Sequence, residues 1–243
     1  MNDTDPEQQQ QQLAEQQQLA GLAGLADPVR RALYHYVAGQ AAPVGRDEAA
    51  AAAGIGRSLA GYHLDKLAAG GLLQARYERR TGRTGPGAGR PAKLYLRAPG
   101  QIELSLPARD YAALAELLAQ AVDADPAGAA RTALHGAAHA LGTRLGAEIA
   151  ARAGPGASAR EVLALAREVL GSRGYEPCDD PAGVVRLRNC PFGRLAARHR
   201  ELVCGANLAL IGGLTERAAG AGRIRAELDP QPGSCCVALT AGD

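Results

Sequence analysis

At 243 residues the chain is long enough for one large domain or two small ones with separate cores. Hydrophobic residues make up 47%, but aromatics only 3% and Trp is absent, so the core must be built from Ala, Leu and Val. Lys and Arg exceed Asp and Glu by just 27 to 25, which excludes a globally polycationic protein, and no run of about 18 apolar residues suggests a membrane span.

Residues 1–19 are low-complexity, acidic and Gln-rich. They read as a disordered tail, unlike a secretory signal, and point to a cytoplasmic protein whose thiols stay reduced. After the tail, Asp27 before Pro28 is a helix-start signal, and Val29, Ala32, Leu33, Tyr36 and Val37 recur at helical spacing. A short helix over 46–53, a tight turn at Gly54-Ile55-Gly56 and a second helix over 57–69, closed by Gly70-Gly71, follow. In that second helix Ala60, Leu64 and Leu67 form the apolar face. Arg57, Ser58, Tyr62, Asp65 and Lys66 lie opposite, with His63 at the margin.

Residues 72–98 alternate at both ends around a Gly/Pro-rich tip near 81–90, which predicts a β-hairpin. Between Arg76 and Arg97 seven basic residues face one acid, Glu78, for a local charge of +6; the remainder of the chain sums to −4. A helix-turn-helix followed by a basic hairpin is the pattern of a winged helix, and the local charge predicts a polyanion contact. On this reading the helix enters a DNA major groove, with Arg57 and Lys66 on phosphates or guanine and Ser58, Tyr62 and His63 on bases or backbone. Arg79, Arg80, Arg83, Arg90 and Lys93 of the hairpin neutralise phosphates or enter the minor groove. The bland alternative is a small helical module with a solvated basic loop.

From Pro107 to about Ala153 the pattern is amphipathic helix, broken at Asp125-Pro126, and another helix spans about 158–173. Short strand-like runs then lie at 174–178, 184–187, 224–228 and 237–240, with one or two helices between the second and third. The expected fold class is α+β. It comprises the tail (1–19), an N-terminal winged helix-turn-helix (20–99), a helical connector and dimerisation segment (100–155) and a small sensor domain (156–243).

All five cysteines fall in that last part: Cys178, Cys190, Cys204, Cys235 and Cys236. No CxxC occurs, so zinc-ribbon spacing is absent. Cys190 precedes Pro191 at an expected helix start, where the dipole would lower its thiol pKa. Strand alternation would point Cys235 and Cys236 to opposite faces, leaving one of them in the core. The residues alone leave two readings, a soft-metal or redox site and buried inert cysteines. His135 and His139 share a helix face, but Gly136 stands where a zinc protease has Glu, so packing histidines are the better reading. No catalytic constellation stands out, and an enzyme is not expected. A thiol enzyme using Cys190 beside His199 is the remaining catalytic reading.

The segments DPVRRALYHYV, GRSLAGYHLDKLAAGGLL and GRPAKLYLRA resemble ArsR/DeoR-like winged-helix regulators. The later blocks GYEP, VVRLRNCPFGRLAARHRELVCGANLALIGGL and LDPQPGSCCVAL are similar to the effector domain of the SufR-like group, iron–sulfur-responsive repressors of cluster-assembly genes. The resemblance covers about residues 22–240. It implies a homodimeric repressor that binds operator DNA and senses iron–sulfur or redox status through a [4Fe–4S] cluster. Cys190 and Cys204 match the group's central pair, and Cys178 the preceding ligand with its gap one residue shorter. The fourth ligand would fall near Ala218–Ala219, where there is no cysteine. Cys235, Cys236 or His199 takes its place, or the cluster has been lost. The alternative function is a winged-helix regulator answering a small molecule, with non-ligating cysteines.

Overall fold

The computed structural model describes residues 16, 18–78, 91–99, 102, 109–180, 183–220 and 223–242. The tail expected over 1–19 lies largely outside these residues, as do Arg79, Arg80, Arg83 and Arg90 of the hairpin tip. The chain is mixed α+β and divides into two compact units, residues 1–109 and 110–243.

In the first unit, helix α1 (Pro28–Ala38) starts as its sequence demands. The Asp27 carboxylate accepts from the backbone N–H groups of Val29 (2.9 Å) and Arg30 (3.0 Å), and Pro28, which has no N–H, occupies the first turn. Strand β1 (Val44–Gly45) leads into α2 (Arg46–Ala53), which ends on Gly54 at φ +63°, a conformation that costs a glycine little. Helix α3 (Arg57–Ala69) follows, then β2 (Leu73–Glu78) and β3 (Ala92–Arg97), paired antiparallel from Leu73 opposite Arg97 to Glu78 opposite Ala92. β1 adds to the other side of β3, giving the order β1-β3-β2. Leu33, Val37, Val44, Ala49, Leu64, Leu67, Leu73 and Tyr95 close the core between the helices and this sheet.

The second unit begins with α4 (Tyr111–Asp123) and α5 (Ala129–Ala153), separated at the expected Asp125-Pro126 break. Helix α6 (Ala159–Ser172) carries a capping box in which Ser158 and Glu161 bond reciprocally. Strands β4 (Pro177–Asp179) and β5 (Val185–Leu187), helices α7 (Gly193–Ala196) and α8 (Arg200–Ala219), and strands β6 (Ile224–Leu228) and β7 (Val237–Ala241) complete the unit. The sheet is antiparallel in the order β4-β5-β7-β6.

The helical segment expected as a connector over 100–155 is not a body of its own, because α5 lies directly on α8. A Cβ on Gly142 would stand 1.8 Å from the Leu210 carbonyl oxygen, and one on Gly146 2.4 Å from that of Leu214. A Cβ on Gly213 would meet the His139 carbonyl oxygen at 2.4 Å. Four-residue spacing of small residues on both helices thus brings two backbones together that larger side chains would hold apart. His135 and His139 belong to this seam: His139 Nε2 lies 3.1 Å from Glu216, and the His135 ring sits against Gly205.

Candidate nucleic-acid interface and thiol site

Helix α3 divides its side chains as an interface helix must. Ala60, Leu64 and Leu67 are buried, whereas Arg57, Ser58, Leu59, Tyr62 and Lys66 are exposed. The Lys66 ammonium lies 5.8 Å from the centre of the Tyr62 ring, so the cation sits over an exposed aromatic face. Arg57 pairs with Asp47 at 2.9 Å, both largely exposed; such pairs contribute about 0–1 kcal/mol and give way readily to a phosphate.

Two residues expected to contact DNA are engaged by the unit itself. His63 is buried, with Nδ1 turned into the protein and unpartnered. Lys93 is committed inside the unit: its ammonium donates to Asp65 Oδ1 at 2.7 Å and stacks over Tyr77 and Tyr95. Asp65 is the hub of this network. It also accepts from the buried Tyr95 hydroxyl and from Arg46 at 3.0 Å, while Arg46 Nε donates to the Tyr95 oxygen at 3.1 Å. Burial acts to raise the Asp65 carboxyl, but the bonds from Lys93 and Tyr95 and the charges of Lys93 and Arg46 hold it below the usual value. The network locks α3 to β3 and to the start of α2. A cleft of about 470 Å³ beside it is lined by Arg46, Arg57, Tyr77 and Lys93. Sequence reading placed Asp65 on the polar face of its helix; its inward role depends on Arg46 and Lys93, 19 and 28 residues away.

In the second unit four of the five cysteines converge. Cys235 lies in the core, Cys190 and Cys236 pack against that core, and the thiols of Cys190, Cys235, Cys236 and Cys204 lie near enough to shift one another's ionisation. Cys235 is 3% exposed and accepts a bond at 3.1 Å from the amide Nδ2 of Asn207. Asn207 is buried too, and the Tyr175 hydroxyl donates to its Oδ1 at 2.6 Å, which fixes the amide with its N–H groups toward the sulfur. The Phe192 ring stands edge-on to Tyr175 at 6.4 Å.

Cys190 was expected to ionise easily at a helix start, yet α7 is four residues long and the thiol is pushed up, first by donating to Cys235 and then by burial. Cys235 is pushed down to about 6, against its burial, because Cys190, the Val237 N–H, Cys236 and Asn207 all stabilise its negative form. Burial, followed by the bond to Cys204, raises Cys236. As expected, one of the vicinal pair, Cys235, is in the core while Cys236 is half-buried, although both precede β7 rather than lying in the strand.

Cys178 is not brought to this group. It lies on edge strand β4 opposite Arg186. His199 is also spoken for. Its Nδ1 lies 2.7 Å from Asp123 and its Nε2 3.1 Å from Glu116, so both ring nitrogens face carboxylates of α4, which raise its pKa. That pairing leaves neither nitrogen for a metal, nor a base for Cys190. Among the described residues no three His, Cys, Asp or Glu side chains are arranged to hold a metal ion. No helix among them is long and apolar enough to cross a membrane.

The chain matches no protein-family model, no curated protein and no solved structure. The likeness to SufR-like regulators therefore rests on the quoted motifs alone.

Proposed function

We propose that the chain is a DNA-binding transcription regulator, acting as a repressor, with a thiol-based sensor in its second unit. The observation that carries this reading is the solvent face of α3. Arg57, Ser58, Tyr62 and Lys66 stand free of packing on a helix whose other face is fixed by the core and by Asp65. The element order α1-β1-α2-α3-β2-β3 supports a winged-helix reading in which α3 is the recognition helix and the arginine-rich β2–β3 connection the wing.

The chain acts as a homodimer in this proposal. Helix α4 leaves Tyr111, Leu114, Leu117 and Leu118 exposed, an apolar stripe of the kind a second copy covers. Two copies would present two α3 helices to a palindromic site with half-sites about 10 base pairs apart.

For the sensor, Cys190, Cys204, Cys235 and Cys236 are soft donors of the kind an iron–sulfur cluster takes, although among the described residues no three such side chains are arranged to hold a metal ion. Those four, rather than Cys178 or His199, would hold a [4Fe–4S] group, which would supply sensitivity to iron or oxidants. Cluster-assembly genes are the proposed targets, on the strength of the motif resemblance.

Selection from a random duplex library with the full chain tests the reading. An enriched inverted repeat with half-sites about one helical turn apart is expected. Failure to enrich any sequence over the starting pool would overturn it.

A further inference from the structure

The cleft of about 470 Å³ in the first unit falls within the range of roughly 300–1,000 Å³ in which small ligands are held. Its walls are the first residues of α2, Arg57 at the start of α3, and Tyr77 and Lys93, which face each other across β2 and β3. Arg46, Arg57 and Lys93 bring three cations to it. Two carboxylates oppose them, Asp47 on the wall and Asp65, which bonds Arg46 and Lys93. One positive charge is left over, so the cleft draws an anion.

The two arginines are held differently, and the difference suits a phosphate. Arg46 is fixed: Nε donates to Tyr95 at 3.1 Å and one terminal nitrogen to Asp65 at 3.0 Å. Its side chain lies against Gly61 of α3, where an added Cβ would stand 3.2 Å from Cδ and Nε. The other terminal nitrogen has no hydrogen-bond partner among the described residues. Arg57 is exposed and paired with Asp47, a contact that an oxyanion opens at little cost. A guanidinium offers planar, paired donors that match phosphate oxygens. The exposed Tyr77 ring beside them supplies a surface for a planar group. Ser58, Tyr62 and Lys66 of the α3 solvent face do not line the cleft, which sets it apart from that face. We infer that the cleft binds a free phosphate ester of about mononucleotide size, its phosphate between Arg46 and Arg57 and its ring against Tyr77.

Arg57 links this cleft to the solvent face of α3, because it belongs to both. A phosphate ester that holds Arg57 in the cleft withdraws it from a DNA strand and so lowers DNA affinity. That consequence rests on the DNA-binding reading; binding of the phosphate ester does not. Asp47 works against the ligand. Its carboxylate lines the cleft beside Arg57, competes for the guanidinium and repels an incoming phosphate, which keeps the ligand exchangeable.

Isothermal titration calorimetry of the full chain with adenosine monophosphate, inorganic phosphate and adenosine tests the inference. The nucleotide should bind saturably, inorganic phosphate more weakly, and adenosine, which lacks the phosphate, not at all. Arg57→Ala, at an exposed position outside the core, should weaken nucleotide binding about tenfold or more through loss of a charge-assisted hydrogen bond. Asp47→Asn should strengthen it. No saturable binding, adenosine binding as well as the nucleotide, or an Arg57→Ala protein that binds like wild type overturns the inference. Titration of the same proteins with duplex DNA separates the sources of phosphate. If Arg57→Ala weakens duplex binding while wild type ignores the nucleotide, the cations serve a DNA strand; this inference fails and the DNA-binding reading stands. Nucleotide binding by a chain that enriches no duplex removes the DNA-binding reading alone.

Discussion

Asp65→Ala is expected to destabilise the first unit by about 2 kcal/mol and to loosen α3 from the hairpin. The substitution removes the acceptor of a buried hydroxyl and of two cations together. A hydrogen bond to a charged group contributes roughly 1.5–3 kcal/mol, and an orphaned buried donor costs roughly 1–3. The carboxylate is partly exposed, so water recovers some of the loss at Arg46 and Lys93, and the sum stays well below three full bonds. Tyr95 is fully buried, and its hydroxyl proton has no such recourse. The effect has a pH signature. Because the folded carboxyl titrates below its usual value near about 3.9, its contribution is present above that value and is lost as pH falls through the lower folded value. Denaturant curves of wild type and Asp65→Asn should therefore converge toward the acid end and separate at neutral pH. A midpoint unchanged at pH 7 would remove Asp65 as the hub.

The second large effect lies at the α5–α8 seam. Gly142→Ala should destabilise the second unit by about 3 kcal/mol or more, at the upper end of overpacking costs. Its Cβ would stand 1.8 Å from a backbone oxygen and 2.9 Å from the Leu214 nitrogen, positions no side-chain rotation relieves. The sign carries the argument. By intrinsic propensity, glycine to alanine within a helix stabilises by about 0.5–1 kcal/mol. Gly136, on the same helix with nothing near its missing Cβ, supplies the matched control, and Gly136→Ala should gain about that much. Thermal melts of the two variants should move in opposite directions. Equal shifts would mean that α5 does not lie on α8 through its glycines.

These two sites show why the sequence revealed some of the molecule and hid the rest. The Asp27-Pro28 start, the Gly54 turn and the apolar periodicity of α3 are local signals, and the elements stand where those signals put them. Whether a polar residue faces water is decided by residues far along the chain. Asp65 and His63 share α3 with Tyr62 and Lys66, yet Arg46, Lys93 and Tyr95 all bond the partly exposed Asp65 carboxylate and the core takes His63. The cysteines repeat the lesson. The family resemblance grouped Cys178 with Cys190 and Cys204, but the bend before β7 returns Cys236 toward Cys204 of α8, while β4 carries Cys178 to the sheet edge. A local clue to Asn207 existed: it lies three residues after Cys204 and so shares its helix face. Its partner Tyr175, 32 residues earlier, carried no comparable mark. The glycines of α5 and α8 meet across the seam only because the two helices cross there, and nothing local in either helix says which helix the other will be.

The central claim is that α3 holds DNA through its solvent face. Its most direct measurement is equilibrium binding of the full chain to the selected duplex across a salt series, for wild type and for Lys66→Ala. Loss of a phosphate contact should lower affinity at all salt concentrations and flatten the slope of log K against log salt by about 0.9 per contact. Binding of Lys66→Ala with the affinity and salt slope of wild type would contradict the account.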